Sequence, residues 1–455
     1  MTLLEPLFRW EAVEAFFSDE ARLQAMLDFE SALVRAEARA GVIPPTAAAP
    51  ISAKCKAELF DLDELARAAA KAGNVAIPLV KQLTKLVAER DTEAARYVHW
   101  GATSQDVIDT GLVLQLRSAL RLMDGELAGL TDSIAKLVEQ HRSTVTVART
   151  WMQQALPTTL GLEMAGWLDA LDRDRLRLRE SGARCLVLQF GGAAGTLAAL
   201  GSKGMRVAEA LGAELQLPVP PLPWHSHRDR TAEICMTAGM CAGTLGKIAR
   251  DISLAAQTEV GEMFEPAGEG RGGSSTMPHK RNPVACAVVL SAAMRIPGLV
   301  STMLSSMVQE QERGLGGWHA EWETLPEIVS LTAGALHHLS DAVGGLEINA
   351  EKMCENLERT NGLIFAEAVQ MALASKIGRM QAHELLERAS NRVVSETRHL
   401  RDVLKEDAIV RQHLTDDELA RLFEPTEYLG ATQAFLDRVL AAHASFRPKS
   451  ASKSD

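Results

Sequence analysis

From Val113 the apolar positions advance in alternating steps of three and four: Val113, Leu116, Leu120, Met123, Leu127, Leu130, Ile134 and Leu137. That heptad seam predicts one long helix, about 37 Å at 1.5 Å per residue. A second seam runs through Ile234, Ala238, Cys241, Leu245, Ile248, Ile252 and Ala255, with Gly239, Gly243 and Gly246 nearby to permit close helix approach. Nearer the N-terminus, Leu23, Met26, Leu27, Leu33 and Val34 keep helical spacing. Ser18 is the candidate N-cap there, Asp19 and Glu20 suit the first turn, and Gly41 with Pro44 and Pro45 ends the helix. Short helices separated by polar turns follow to about residue 95, and 157–182, 284–312 and 324–345 also read as helices. Seams this long need partner helices, and one chain would struggle to bury both, so the expectation is a homotetramer around a shared bundle.

Composition strengthens the helical reading. Ala, Leu, Glu and Arg dominate, and aromatics amount to only 4%. The expected class is all-α, in three helical domains: 1–110, a central long-helix bundle over 111–350, and 351–455 with a short disordered polar tail. A net charge of −11 argues against nucleic acid and anionic membrane as partners, so a polyanionic substrate would need cations gathered locally. Six cysteines without a C-x-x-C pair argue against disulfides and zinc. No basic-then-apolar leader opens the chain and no run reads as membrane length, so a soluble cytoplasmic protein is expected.

Chemistry concentrates in a few strings. Gly272 to Pro283 reads GGSSTMPHKRNP: flexible backbone, a hydroxyl pair, a rigid turn, two cations and an amide. A glycine-rich turn in solvent would explain the first four residues, and a lid over a carboxylate-bearing substrate would explain the whole. His99 to Thr110, HWGATSQDVIDT, offers good cap residues in Thr103, Ser104 and Asp106, so it reads as plain capping or as a helix start facing an anion. FGGAAGT, 190–196, reads equally as a tight turn or as backbone brought close to a ligand. His225 and His227 form an H-x-H pair without the further carboxylates or cysteines that a metal site needs.

The first string resembles the G-S-S-x-M-P-x-K-x-N signature of the fumarase/aspartase superfamily. The second resembles the H-x-G-x-T-S-x-D segment of adenylosuccinate lyases and their relatives. Residues 148–159, ARTWMQQALPTT, resemble that superfamily's G-R-T-H-x-Q-x-A-x-P-x-T segment, with Ala148 for the glycine and Trp151 for the histidine of many lyases. The resemblance implies elimination or addition beside a carboxylate, through a carbanion whose charge is delocalised onto oxygen. Carried over residue by residue, it makes Ser274, Lys280 and His99 catalytic candidates. Thr103, Ser104, Arg149, Trp151, Gln153, Arg228, Ser275, Met277, Asn282 and Arg313 become substrate-binding candidates. It implies no metal and no organic cofactor, and sites that draw segments from different subunits.

Trp151 narrows the chemistry. A departing nitrogen or hydroxide needs a proton, which histidine supplies near neutral pH. A departing carboxylate, with a pKa around 4, needs none. An indole N–H is no acid, but its flat face can pack a planar substrate. Closing or opening a γ-lactone meets this requirement, and the run from Leu7 to Pro44 resembles the bacterial 3-carboxy-cis,cis-muconate cycloisomerases. The expected activity is lactonisation of that tricarboxylate. An adenylosuccinate- or argininosuccinate-type lyase is the alternative within the enzymes, opposed by Trp151. A non-catalytic helical scaffold is the alternative outside them, opposed by the intact Ser274, Lys280 and Asn282.

Overall fold

The computed structural model describes residues 3–268, 272–273, 276–277 and 279–446. The described residues form helices with four short strands, an all-α chain. Elements used below are α1 (Asp19–Ala40), α2 (Leu62–Ala72), α3 (Ser104–Gln140), β1 (Val145–Thr150), β2 (Gln153–Thr159), α4 (Leu160–Cys185), α5 (Gly204–Leu215), α6 (Asp229–Ala255), β3 (Met263–Phe264), α7 (Val284–Ser306), α8 (Gly317–Gly344), β4 (Glu347–Ile348) and α9 (Thr432–Phe446). The chain divides into two compact units, Met1–Leu127 with Asp174–Gly246 and Val288–His338, and Ala128–Arg173 with Lys247–Ala287 and Leu339–Asp455.

In the first unit α1 is built as its pattern requires. Ser18 Oγ accepts from Ala21 N–H at 3.2 Å, and Gly41 closes the C-terminus at φ 69°. Leu27, Phe29 and Leu33 are buried against the core that also holds Leu79, Leu83, Val207 and Leu211. Each such side chain contributes about 1.5–3 kcal/mol by leaving water. Two acids interrupt the apolar face, Glu30 and Glu37, both buried. Burial first, and the charge of Glu30 second, push the Glu37 carboxyl up to about 9, so it stays protonated near neutral pH.

The second unit has its own core, with Phe365, Leu373, Leu385, Val393 and Leu404 around Val147 of β1. β1 and β2 pair antiparallel, as do β3 and β4. The last helix, α9, is clamped by His443, whose Nδ1 lies 3.0 Å from Asp172 Oδ2 and whose Nε2 lies 3.0 Å from Asp132 Oδ1. The Asp172 contact, opposed by burial and reinforced by Asp132, raises this imidazole's pKa above its ordinary value.

Two expectations need correcting. The seams do not wait for another copy: Val113 to Ile134 of α3 and Ile234 to Ala255 of α6 are buried within the single chain, with only Leu137 half-exposed. The chain supplies enough long helices of its own to cover them. The uncovered apolar surface lies elsewhere, on α7, where Val284, Met294 and Leu304 are exposed, and on α6 at Met236 and Met240. In addition, α7 is long and apolar enough by composition to cross a membrane, which the chain was not expected to contain. Its apolar run is broken in the middle by Arg295, which pairs with Glu327 at 2.6 Å, and by Pro297.

Candidate active site

At the start of α3 the buried Asp106 carboxylate collects four donors: Thr103 N–H at 3.1 Å, Gly191 N–H at 3.0 Å, Gly192 N–H at 2.9 Å and His225 Nε2 at 2.8 Å. The glycine pair permits this. A Cβ on Gly191 would come within 2.7 Å of Pro223, and one on Gly192, at φ 68°, within 2.9 Å of the Gly101 carbonyl. The FGGAAGT backbone thus spends both amides on Asp106. His225 serves the same carboxylate while His227 is exposed, so the H-x-H pair does not converge; among the described residues no cluster suits a metal ion.

One helical turn on, Asp109 belongs to a buried ion cluster. Arg228 donates through NH1 to Asp109 Oδ2 at 2.7 Å, through NH2 to Asp109 Oδ1 at 3.2 Å and Glu321 Oε2 at 2.7 Å, and through Nε to Glu321 Oε1 at 2.9 Å. NH1 also reaches the Trp224 carbonyl at 3.5 Å, and the guanidinium lies over the Trp224 ring, 4.7 Å from its centroid. Trp318 Nε1 donates to Asp109 Oδ1 at 2.9 Å. Burial disfavours the Arg228 charge, yet Asp109 and Glu321 outweigh it and raise its pKa. The expectation that Arg228 holds a substrate carboxylate is therefore corrected: two fixed carboxylates already engage it, and it is 1% exposed.

Arg313 differs. It is exposed, and its hydrogen bonds among the described residues are to neutral groups: Gln105 Oε1 at 3.1 Å, Thr103 Oγ1 at 3.3 Å and the Ala193 carbonyl at 3.1 Å. Gln105 is held in turn by donating to Asp109 Oδ2 at 3.1 Å and the His225 carbonyl at 2.8 Å. A cation so placed keeps its charge unanswered beside Thr103 and Ser104, at the positive end of α3. His99, at φ 56°, sets Nδ1 2.5 Å from Glu30 Oε1. Burial lowers its pKa, but Glu30 and then Asp106 reverse this and leave it above the ordinary value.

In the second unit β1 and β2 are joined by Trp151 and Met152 alone, both left-handed at φ 51° and 64°. Two-residue hairpins want positive φ at both turn positions, usually from Asn-Gly. Here a tryptophan and a methionine take that strain, and the indole is 97% exposed. A register shift between Ala148 and Arg149 re-aims Arg149. It grips Glu262 with NH1 at 2.9 Å and NH2 at 2.5 Å, and Asn356 Nδ2 donates to the same carboxylate at 2.6 Å. Gln153 is exposed beside the turn. Nearby charge also acts on Glu163: burial, then Glu262, push its carboxyl up to about 7.

Of the GGSSTMPHKRNP string, Ser274, Ser275 and Pro278 lie outside the described residues. Its two ends are tied together: Gly272 O accepts from Asn282 N–H at 2.9 Å and from Asn282 Nδ2 at 3.1 Å. Gly272, at φ 60°, must be glycine, since a Cβ would sit 2.6 Å from the Asn282 carbonyl. Arg281 turns away, pairing with Glu347 at 2.8 Å over the Phe264 ring. Met277 and Lys280 are exposed. Behind the string, Glu265 accepts from Ala285 N–H at 3.1 Å and Cys286 N–H at 2.7 Å, so a side chain already occupies the start of α7.

Residues 10–298 match the family model described as lyase, and 362–439 that of the adenylosuccinate lyase C-terminus. The chain belongs to the lyase family. This lyase is 56% identical over 441 residues to the 3-carboxy-cis,cis-muconate cycloisomerase of Pseudomonas aeruginosa, with 97% of this chain and 96% of that protein covered. It is 49% identical over 440 residues to the protein of the same name from Acinetobacter baylyi, covering 96% and 98%. The crystal structure of 3-carboxy-cis,cis-muconate lactonizing enzyme from Pseudomonas putida matches it at TM-score 0.93 and 52% identity, over 98% of this chain and 99% of that one. The fumarase/aspartase likeness of its signature strings thus extends along the lyase's whole length.

Sequence reasoning missed the side chains that hold the candidate residues within each unit. Gln105, Asp109, Glu262 and Glu321 had no assigned part, and Asp106 and His225 were not paired. Positions 106, 191 and 225 carry no local signal of their meeting. A glycine pair beside a phenylalanine and a histidine among prolines were the only cues.

Proposed function

We propose that this chain is a cycloisomerase that closes 3-carboxy-cis,cis-muconate to carboxymuconolactone, a step in aromatic-acid catabolism by the protocatechuate branch of the β-ketoadipate pathway. The observation that carries the reading is Trp151: a lyase segment that departs elsewhere only at Ala148 has, at the acid's position, an exposed side chain that cannot serve as a general acid. The relatives' names agree with it.

In the reaction one substrate carboxylate oxygen attacks the conjugated alkene and a C–O bond forms. The alkene electron pair moves toward the neighbouring carboxylate, which becomes a doubly charged aci-carboxylate. Lys280, with the Ser104 amide and the hydroxyls of Thr103 and Ser104, meets that charge. Ser274 then delivers a proton to carbon. Arg149 and Arg313 bind the attacking and the third carboxylates, His99 polarises one of them, and the Trp151 face packs the diene. Gln153, Ser275 and Met277 line the substrate, while Asn282 holds the loop. In reverse the leaving group is a carboxylate, so no acid is called for at residue 151.

The working form in this reading is a cytoplasmic homotetramer. The exposed apolar residues of α7 and α6 supply the surface that copies would bury. Each site then takes its His99, Trp151 and Ser274 segments from different copies, which would cover the exposed indole. Purified protein should consume 3-carboxy-cis,cis-muconate with loss of diene absorbance, and no loss at any protein concentration rejects the activity. Mixing Ser274→Ala with Arg149→Ala protein should restore part of the rate by subunit exchange. A monomer in sedimentation at micromolar concentration rejects the shared site.

A further inference from the structure

We propose that the first unit carries a second small-molecule site, a cleft that takes a compact monocarboxylate with an apolar, planar body. The cleft has a volume of about 440 Å³, within the usual range for ligand pockets. Leu23 and Met26 of α1, Leu65 of α2, and Ile108 and Leu112 of α3 wall it. Its origin is legible in small residues. Gly111 lets α3 approach α1 so closely that a Cβ there would lie 3.2 Å from Met26 Cγ and 3.3 Å from its amide nitrogen. On the other side α2 presents Ala66, Ala69 and Ala70, too short to fill the gap.

The polar groups of this cleft define the ligand. Trp322 Nε1 is shielded from solvent and donates to nothing among the described residues. A buried N–H without an acceptor is costly, and a ligand oxygen would remove that cost. Beside it, the half-buried Arg22 makes one long hydrogen bond among the described residues, NH2 to the Trp322 carbonyl at 3.5 Å. Gln115 is already used, its Nε2 donating to the Phe16 carbonyl at 2.6 Å. Asp19 also lines the cleft and is exposed. Asn74 lines the cleft too, its Oδ1 accepting from Ile77 N–H at 3.2 Å. One cation, two neutral donors and one acid suit a single carboxylate and oppose a polyanion. The apolar walls suit an aromatic body.

None of these residues is among those assigned to the reaction, and binding requires nothing of that assignment. The two touch through tryptophan: Trp322 stands edge-on to Trp318 with centroids 4.8 Å apart, and Trp318 holds Asp109. A bound acid would therefore press on the frame around Arg228.

Calorimetric titration of the whole protein with 3-phenylpropanoate tests the site, with 3-phenylpropan-1-ol and tricarballylate as controls. The acid should bind at millimolar affinity or tighter, the alcohol roughly tenfold more weakly, and tricarballylate more weakly still in this cleft. Arg22→Met should bring the acid down to the alcohol's level. Ala66→Phe, which plugs the mouth, should abolish binding of both at an unchanged thermal midpoint; if its fold is disturbed, Trp322→Phe should weaken the acid about tenfold. Equal affinity of acid and alcohol, wild-type binding by folded Ala66→Phe, or no binding of the acid at all overturns the proposal. Turnover of the muconate, measured separately, leaves these outcomes untouched.

Discussion

Arg228 and Lys280 carry the same charge in opposite circumstances. Around Arg228 every strong group is buried and answered: Asp109 and Glu321 hold the guanidinium, and Trp318 backs Asp109. Along the signature loop and the hairpin tip, Lys280, Met277, Trp151 and Gln153 face solvent. The first region fixes positions, its one guanidinium spent between two carboxylates. The second keeps its charge for something that arrives. Residue type alone does not separate the two, since Arg228 and Arg313 read alike in the sequence and only their neighbours tell them apart.

Breaking the answered cluster should give the largest effect. Arg228→Met leaves two carboxylates buried and unpaired, and should lower stability by about 3–5 kcal/mol. Urea unfolding measures it, and a loss below about 1 kcal/mol would mean the cluster is not the frame. Lys280→Met should do the reverse: unfolding within about 0.5 kcal/mol of wild type, but kcat down roughly 100- to 1,000-fold. Parallel losses of stability and rate in both variants would erase the contrast.

A smaller effect is expected at Trp151. Trp151→Phe keeps a flat face and should cost roughly tenfold, about 1.4 kcal/mol of transition-state binding. A fall in kcat beyond about 1,000-fold at unchanged KM, in the range of a lost general acid, would assign the indole chemistry that the reading denies it.

The smallest effect is a pH slope. The His99 pKa is raised in the fold above its ordinary 6.5, with Glu30 the chief cause opposing burial. Its stabilisation is thus complete below about 6.5 and is lost as pH rises through the raised value. His443 contributes with the same sign. Unfolding free energy should fall as pH rises above about 6.5, the raised Glu37 and Glu163 carboxyls contributing with the same sign, and Glu30→Gln should flatten the His99 share of that slope. An unchanged slope in Glu30→Gln would detach His99 from Glu30.

Much of this was legible because it is local. The cap at Ser18, the stop at Gly41 and both seams are set by side chains within a few turns, whereas the helix expected over 157–182 starts only at Leu160, after β2, and the one expected over 284–312 ends at Ser306. The β1–β2 hairpin went unread as a hairpin. Val145 and Val147 alternate as a strand should, but Trp151–Met152 lacks the Gly or Asn that announces such a turn. The Asp106 frame was invisible for another reason: besides Thr103, its partners come from two distant stretches, and hydrogen bonds of that range leave no periodicity.

That hairpin tip also sets terms for anyone redesigning this protein. Two side chains at positive φ give up about 1 kcal/mol each, which a library selected only for heat resistance would recover by installing Asn-Gly. The winners would be more heat-resistant proteins with a bare turn where the indole stood. Selection for survival and selection for turnover should therefore pull residues 151 and 152 in opposite directions, and the tip belongs among the positions held constant.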